Sequence, residues 1–207
     1  MKVLLINGSP HEHSCTFTAL SEVAASLNKN GVDTEIFHIG KGALHGCAAC
    51  WGCAKLGRCV FDGDGVNALN ARAGEFDALV IGSPVYYGGP AGSLCAFLDR
   101  LFFSGADNWA GKPGACVVSC RRGGASAAFD RLNKYFTINN MPVVSSQYWN
   151  QVHGNSPEEV KQDIEGLQTM RTLGVNMAYL LKCIDAGRKA GVPEPEREET
   201  VYTNFIR

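Results

Sequence analysis

Long apolar runs are missing from this chain. No stretch approaches the ~18–20 apolar residues of a membrane span. The opening MKVLLINGSP has one lysine and four apolar residues before Asn7-Gly8, too short for the apolar region of a secretory signal. An excess of charge of one sign is missing too. Lys and Arg number 19 against 20 Asp and Glu, a formal net charge of −1 at pH 7. This argues against nucleic acid and anionic membrane as main partners, because both need a concentrated basic surface. There is no internal repeat and no low-complexity linker. No G-x-x-x-x-G-K-[ST] cradles a triphosphate, no G-x-G-x-x-G a dinucleotide, and no G-x-S-x-G or H-E-x-x-H suggests a hydrolase or zinc protease. Cysteine, by contrast, is plentiful. Nine of them in a chain without an export signal imply a reducing, cytoplasmic setting, where thiols ligate, react or pack rather than cross-link.

What is present reads as one α/β domain over residues 1–207, of which 45% are apolar and 19% charged. Short apolar runs alternate with helical patterns, the signature of βαβ units. Strands are expected over Lys2–Asn7, Asp33–Ile39, Phe76–Val85, Gly114–Cys120 and Pro142–Trp149. Helices are expected over Thr16–Asn30, Gly92–Phe103 and most of Pro157–Ala190, the last opened by Ser156 as N-cap with Glu159 three residues on. Five such strands fit a flavodoxin-like doubly wound parallel sheet of order 2-1-3-4-5, which binds ligand beyond the carboxyl ends of its strands. A cysteine-rich loop (46–65) follows strand 2, and an irregular C-terminal arm (191–207) closes the chain.

Three segments after strand ends carry ligand-binding chemistry. GSPHEHSCT (Gly8–Thr16) offers the hydroxyls of Ser9, Ser14 and Thr16 beside a helix start, where free N–H groups and the positive dipole end welcome a phosphate. Without lysine it suits one phosphate monoester, such as that of FMN; the same Ser and Thr would also serve as plain helix caps. GSPVYYGGPAG (Gly82–Gly92) combines stiff Pro84, permissive Gly88 and Gly89, and aromatic Tyr86 and Tyr87, suited to the edge or face of a flat ring. SCRRGGA (Ser119–Ala125) adds glycines and two cations, Arg121 and Arg122, which near a reduced flavin would stabilise its anionic form. Solvated arginines and packed tyrosines are the structural alternative.

Together, GSPHEHSCT, GSPVYYGGPAGSLCAFLDRLF and VSCRRGGASAAFDRLNKYF resemble the NADPH-dependent FMN reductase family of flavodoxin-like proteins, and the similarity runs on through MPVVSSQYWNQVHG. The resemblance implies FMN held by Ser9, His11, Ser14, Cys15, Thr16, Pro84, Val85, Tyr86, Tyr87, Gly88, Ser119, Arg121, Arg122, Gly123 and Gly124. His11 stands where the family usually has Arg, and Cys15 where it often has Asn. It further implies NAD(P)H as co-substrate, a flavin, quinone or similar small-molecule or protein electron acceptor, and a homodimer or homotetramer. Because the cofactor carries the chemistry, no dedicated acid or base is expected.

Cys47, Cys50, Cys53 and Cys59 stand at C-x2-C-x2-C-x5-C. The compact spacing wraps a cubane well, while structural zinc sites usually separate two C-x2-C units by a longer span. The pattern resembles that of the iron–sulfur flavoproteins, in which such cysteines hold a [4Fe–4S] cluster, and this resemblance implies an alternative function, an electron-transfer protein exchanging electrons between a ferredoxin, the cluster and FMN. Free or reversibly oxidised thiols remain open for the same four residues, and with them a thiol-based redox sensor. Cys95, Cys116 and Cys183 fall in apolar patterns and are expected to pack as small core residues. Cys15 and Cys120 lie on ligand loops without a base beside them in sequence. His13 reads as exposed and His153 as a solvated or pocket residue. Tyr148 and Trp149, at the end of the expected fifth strand, point to the cofactor side or a subunit contact. Asp62 and Asp64 resemble half of a calcium loop, but the bidentate Glu it needs is missing.

Overall fold

The computed structural model describes residues 1–205. Its spine is a parallel sheet of β1 (Lys2–Asn7), β2 (Asp33–His38), β3 (Ala78–Tyr86), β5 (Gly114–Cys120) and β6 (Gln151–His153), ordered β2-β1-β3-β5-β6. The two-residue β4 (Gly89–Pro90) only folds back on the end of β3. Setting β4 aside, the order is the expected 2-1-3-4-5.

Strand alternation sorts the core into two layers. Val3 and Leu5 of β1, with Ala115 and Val117 of β5, face α1 (Cys15–Lys29) and α7 (Ile164–Lys189). Leu4 and Ile6, with Cys116 and Val118, face α3 (Val66–Ala71), α4 (Gly92–Trp109) and α5 (Ala125–Ile138). The short α2 (Gly52–Leu56) lies within the cysteine-rich loop. Both faces of the central strands are therefore covered, as a parallel sheet requires.

Register brings the chemistry together. Asn7 pairs with both His38 and Gly82, Pro84 with Ser119, and Cys120 with His153. The carboxyl ends of all five strands, and the loops after β1, β3, β5 and β6, thus gather along one edge of the sheet.

Three expectations are corrected. The fifth strand is Gln151–His153, not Pro142–Trp149; only Val143 of that run bridges the sheet, opposite Gly114. The Ser146 hydroxyl accepts from Tyr148 N at 3.3 Å and donates to Asn150 Oδ1 at 2.7 Å, turning the chain out of strand geometry. Buried Asn150 then donates to Cys116 O at 3.0 Å and so anchors the start of β6. Tyr148 and Trp149 consequently lie half-exposed before β6, their rings in contact at a 54° tilt. α4 runs past Phe103 to Trp109 across a break at Gly105, where Asn70 donates to Leu101 O and accepts from Trp109 Nε1. The final helical region divides into α6 (Pro157–Val160), capped by Ser156 as expected, and α7. Of the expected arm 191–207, residues 191–205 carry no helix or strand, and 206–207 lie outside the described residues. No helix among the described residues is long and apolar enough to cross a membrane.

Candidate functional site

The loops beyond the sheet enclose a cleft of about 380 Å3, within the usual size of small-molecule sites. Its floor begins where β1 ends. Gly8 passes so close to β3 that a Cβ would stand 2.8 Å from Gly82 O, and its N–H donates to that same carbonyl at 2.9 Å. The loop is then folded by its own side chains. Asn7 Oδ1 accepts from Ser9 N at 3.1 Å, Asn7 Nδ2 donates to Glu12 O at 2.9 Å, and Ser9 Oγ accepts from His11 N at 3.1 Å. His38 Nε2 lies 2.8 Å from Ser9 O. Ser14 caps α1 by accepting from Phe17 N. The first N–H groups of a helix have no intrahelical acceptor, so Cys15 and Thr16 bring donors to the cleft wall. Thr16 Oγ1 and Ser119 Oγ are 2.8 Å apart and buried, tying this loop to the end of β5.

The second wall is a two-residue hairpin. Tyr86 pairs with Gly89, and between them Tyr87 (φ +50) and Gly88 (φ +74) both adopt left-handed backbone, the type I′ pattern. Ser83 Oγ accepts from Ala91 N at 3.0 Å and closes the turn. The third wall is the β5–α5 loop. At Gly124 (φ +92) a Cβ would meet Gly88 Cα at 2.8 Å and Val85 Cγ1 at 2.9 Å, so the two loops touch through glycine on glycine.

Of the expected flavin residues, Ser9, His11, Ser14, Cys15, Thr16, Pro84, Val85, Tyr86, Ser119 and Arg121 line this cleft. Tyr87, Gly88, Arg122, Gly123 and Gly124 do not. Tyr87 projects fully into solvent, and Gly88 and Gly124 act from behind, setting how near two walls come. Sequence reasoning missed His13, Cys120 and the run Gly154, Asn155 and Pro157, all of which line the cleft. The rule that ligands meet strand ends would have found this last run had β6 been placed at 151–153. A polar neighbour absent beside Cys120 in sequence arrives across the sheet: His153 Nδ1 is 3.4 Å from Cys120 Sγ. Burial pushes the Cys120 thiol up, and burial, reinforced by Glu159 and Glu158, does the same for Cys15. Both stay protonated at neutral pH.

The cysteine-rich loop forms a second, separate recess. Cys47, Cys50, Cys53 and Cys59 all line it, with Trp51, Phe103 and Arg100. Its enclosed space is about 20 Å3, room for little more than a water, so any larger occupant belongs at the mouth, where Cys47 and Cys50 are exposed. Among the described residues no three His, Cys, Asp or Glu close around a single ion. Four soft thiol donors line one recess, Cys53 on a short helix (Gly52–Leu56) and the other three on irregular backbone, the ligand set that a [4Fe–4S] cluster would need. Asp64 serves no calcium site; it is the counter-ion of buried Arg100. Cys116 is buried as expected and Cys95 half-buried, but Cys183 is exposed on α7 beside Tyr179.

A mononucleotide-sized cleft at the switch point of a 2-1-3-4-5 sheet defines a flavodoxin-like flavoprotein. The chain belongs to the NADPH-dependent FMN reductase family, whose profile matches residues 1–155. An iron-sulfur flavoprotein of Methanocaldococcus jannaschii is 29% identical over 194 residues, covering 89% of this chain and 99% of that one. One from Archaeoglobus fulgidus is 26% identical over 191 residues, covering 86% and 95%. Among solved structures, RosB with bound 8-demethyl-8-formylriboflavin-5′-phosphate superposes with a TM-score of 0.71 at 15% identity, covering 100% of this chain and 92% of that one. An archaeal flavodoxin superposes at 0.59 with 16% identity, covering 88% and 99%. These likenesses show the fold. Family membership gives the class of function: flavin-based oxidation and reduction.

Proposed function

We propose that this chain is an FMN-dependent electron-transfer oxidoreductase carrying FMN in the cleft and a [4Fe–4S] cluster on Cys47, Cys50, Cys53 and Cys59. The observation that carries this is the presence of two separate sites on one chain, a hydroxyl-lined cleft and a recess walled by four thiols. FMN supplies both hydride and single-electron chemistry, and the cluster single-electron chemistry. The chain's residues bind and orient. Ser9, Ser14 and Thr16, with the first N–H groups of α1, would hold the phosphate. Pro84, Val85 and Tyr86 would border the ring system. Arg121, just after β5, would favour negative charge there. Ser119 and Thr16 hold the first and third walls in register through their shared hydrogen bond.

Relatives that are iron-sulfur flavoproteins favour the cluster, while the family match favours NAD(P)H as the hydride donor. The two are compatible on one chain, with a small-molecule or protein acceptor at the far end. A cytoplasmic homodimer or homotetramer completes the proposal, and light scattering on the purified protein would measure the assembly.

Anaerobic purification with flavin, iron and sulfide analysis tests the proposal. It expects one FMN and about four irons with matching sulfide per chain, and Cys50→Ser should lower iron while leaving FMN in place. Protein that keeps FMN but holds no iron or sulfide would remove the cluster. A flavin band that bleaches with neither NADPH nor NADH would remove the nicotinamide donor.

A further inference from the structure

Arg100 is the one buried arginine among the described residues, 1% exposed on the inner face of α4. Its guanidinium points into the cysteine recess and is held on every side. Nη1 and Nη2 pair with the Asp64 carboxylate, and Nη2 also donates to Phe61 O at 2.9 Å. Nη1 reaches His45 O at 3.4 Å. These partners flank the cysteine loop on both sides, so Arg100 fixes the loop's two ends against α4. The remaining donor, Nε, is aimed at sulfur: it stands 3.2 Å from Cys59 Sγ.

A guanidinium is always charged, and a neutral thiol is a weak acceptor. A buried charged donor that ends on a thiol is under-used, whereas a thiolate would accept it as a charge-assisted bond. Asp64 already balances the arginine. A thiolate at Cys59 therefore adds a net negative charge in a buried place, which iron bound to the same sulfur would offset in part. We infer that Arg100 is a positioning residue for the cluster: it holds the Cys59 sulfur as a ligand and, through the Nε–H···S bond, raises the cluster's reduction potential. Hydrogen bonds to ligand sulfurs and nearby positive charge favour the reduced form, which carries one more negative charge. Asp64 works in the opposite sense, so the pair sets the potential as a balance. This rests on the cluster assigned above.

The test compares wild-type protein with Arg100→Gln, Arg100→Lys and Asp64→Asn, all purified without oxygen as full chains. Iron, sulfide and FMN per chain are measured first. The cluster's midpoint potential is then followed by electron paramagnetic resonance. Arg100→Gln should lower the potential by the equivalent of at least a tenfold change in the reduced-to-oxidised ratio, about 59 mV for one electron. Asp64→Asn should raise it, and Arg100→Lys, which keeps the charge without the fork, should fall between wild type and Arg100→Gln. FMN content should match wild type in all three. Opposite shifts from two partners of one ion pair are not produced by a loop that is merely loosened. If Arg100→Gln fails to fold, the rise in Asp64→Asn decides alone. Shifts in the same direction, or none beyond twofold in the ratio, in variants that carry iron would overturn the inference. A wild-type chain without iron would overturn the cluster and this inference with it.

Discussion

Gly124→Ala tests how the flavin cleft is built. The backbone there sits at φ +92, and an alanine in left-handed geometry costs about 1–2 kcal/mol. Its Cβ would also stand 2.8 Å from Gly88 Cα and 2.9 Å from Val85 Cγ1. A backbone atom yields less readily than the end of a flexible side chain, so overpacking adds about 1–3 kcal/mol. Gly31→Ala is the control. Gly31 shares the conformation (φ +77) but has nothing within 4 Å, so strain alone should act, about 1–2 kcal/mol with unchanged flavin affinity. Relief of the Gly124 contact must move the hairpin wall away from the Ser119–Arg121 wall. FMN affinity should therefore fall at least tenfold, about 1.4 kcal/mol. Fluorescence titration of apoprotein with FMN, beside urea unfolding of each variant, measures both quantities. Gly124→Ala binding FMN within twofold of wild type, at the stability of Gly31→Ala, would refute this account of the cleft.

Other outcomes follow from the same contacts. Thr16→Val combined with Ser119→Ala removes the 2.8 Å bond between cleft walls and a hydroxyl at the helix start; FMN affinity should drop about tenfold, the scale of one lost hydrogen bond to a charged group, as read in the same titration. In metal-free native protein, iodoacetamide should label exposed Cys47, Cys50 and Cys183 first, while Cys116, whose thiol burial pushes far up, should resist until unfolding; mass mapping that finds Cys116 labelled alongside Cys50 contradicts the packing. Arg72 first, then Lys2, holds the Glu35 carboxyl down from 4.5 to about 2. The folded state thus favours its charged form, and the resulting stability is complete above pH 4.5 and lost as pH falls toward 2. Because Arg72 is 40% exposed, solvent screening reduces the effect to about 1 kcal/mol. Glu35→Gln should lose that much at pH 7 and flatten the acid limb of a melting-temperature profile.

The parts legible in the sequence were those written in adjacent residues. β1 with its serine loop and α1, the Tyr86–Gly89 turn, and the four cysteines each occupy one short stretch, and local chemistry decides their shape. What sequence hid depends on distant partners. The fifth strand was misplaced because Pro142–Trp149 has strand composition, while the side chains of Ser146 and Asn150 override it. Arg100 sits in the amphipathic run LCAFLDRLFF, where an arginine reads as a solvent-facing charge; Asp64, which buries it, lies 36 residues earlier. Cys120 and His153 are 33 residues apart and meet only through strand register. Cys183 fell on an apolar pattern, yet α7 turns it outward beside Tyr179, 70% exposed.

α4 has a further consequence. It starts directly after the tyrosine hairpin and, at about 1.5 Å per residue, carries Arg100 about 12 Å along its axis from Gly92. One continuous rod therefore measures out the interval between the cleft and the cysteine recess. Each residue of a helix also swings the next by about 100°. Deleting a single position between Gly92 and Arg100 would shorten that interval only slightly, yet turn the guanidinium a quarter of the way round the cylinder and out of the cysteine recess. Natural length variation should for this reason collect in the irregular segment before Cys47 and spare this stretch of helix.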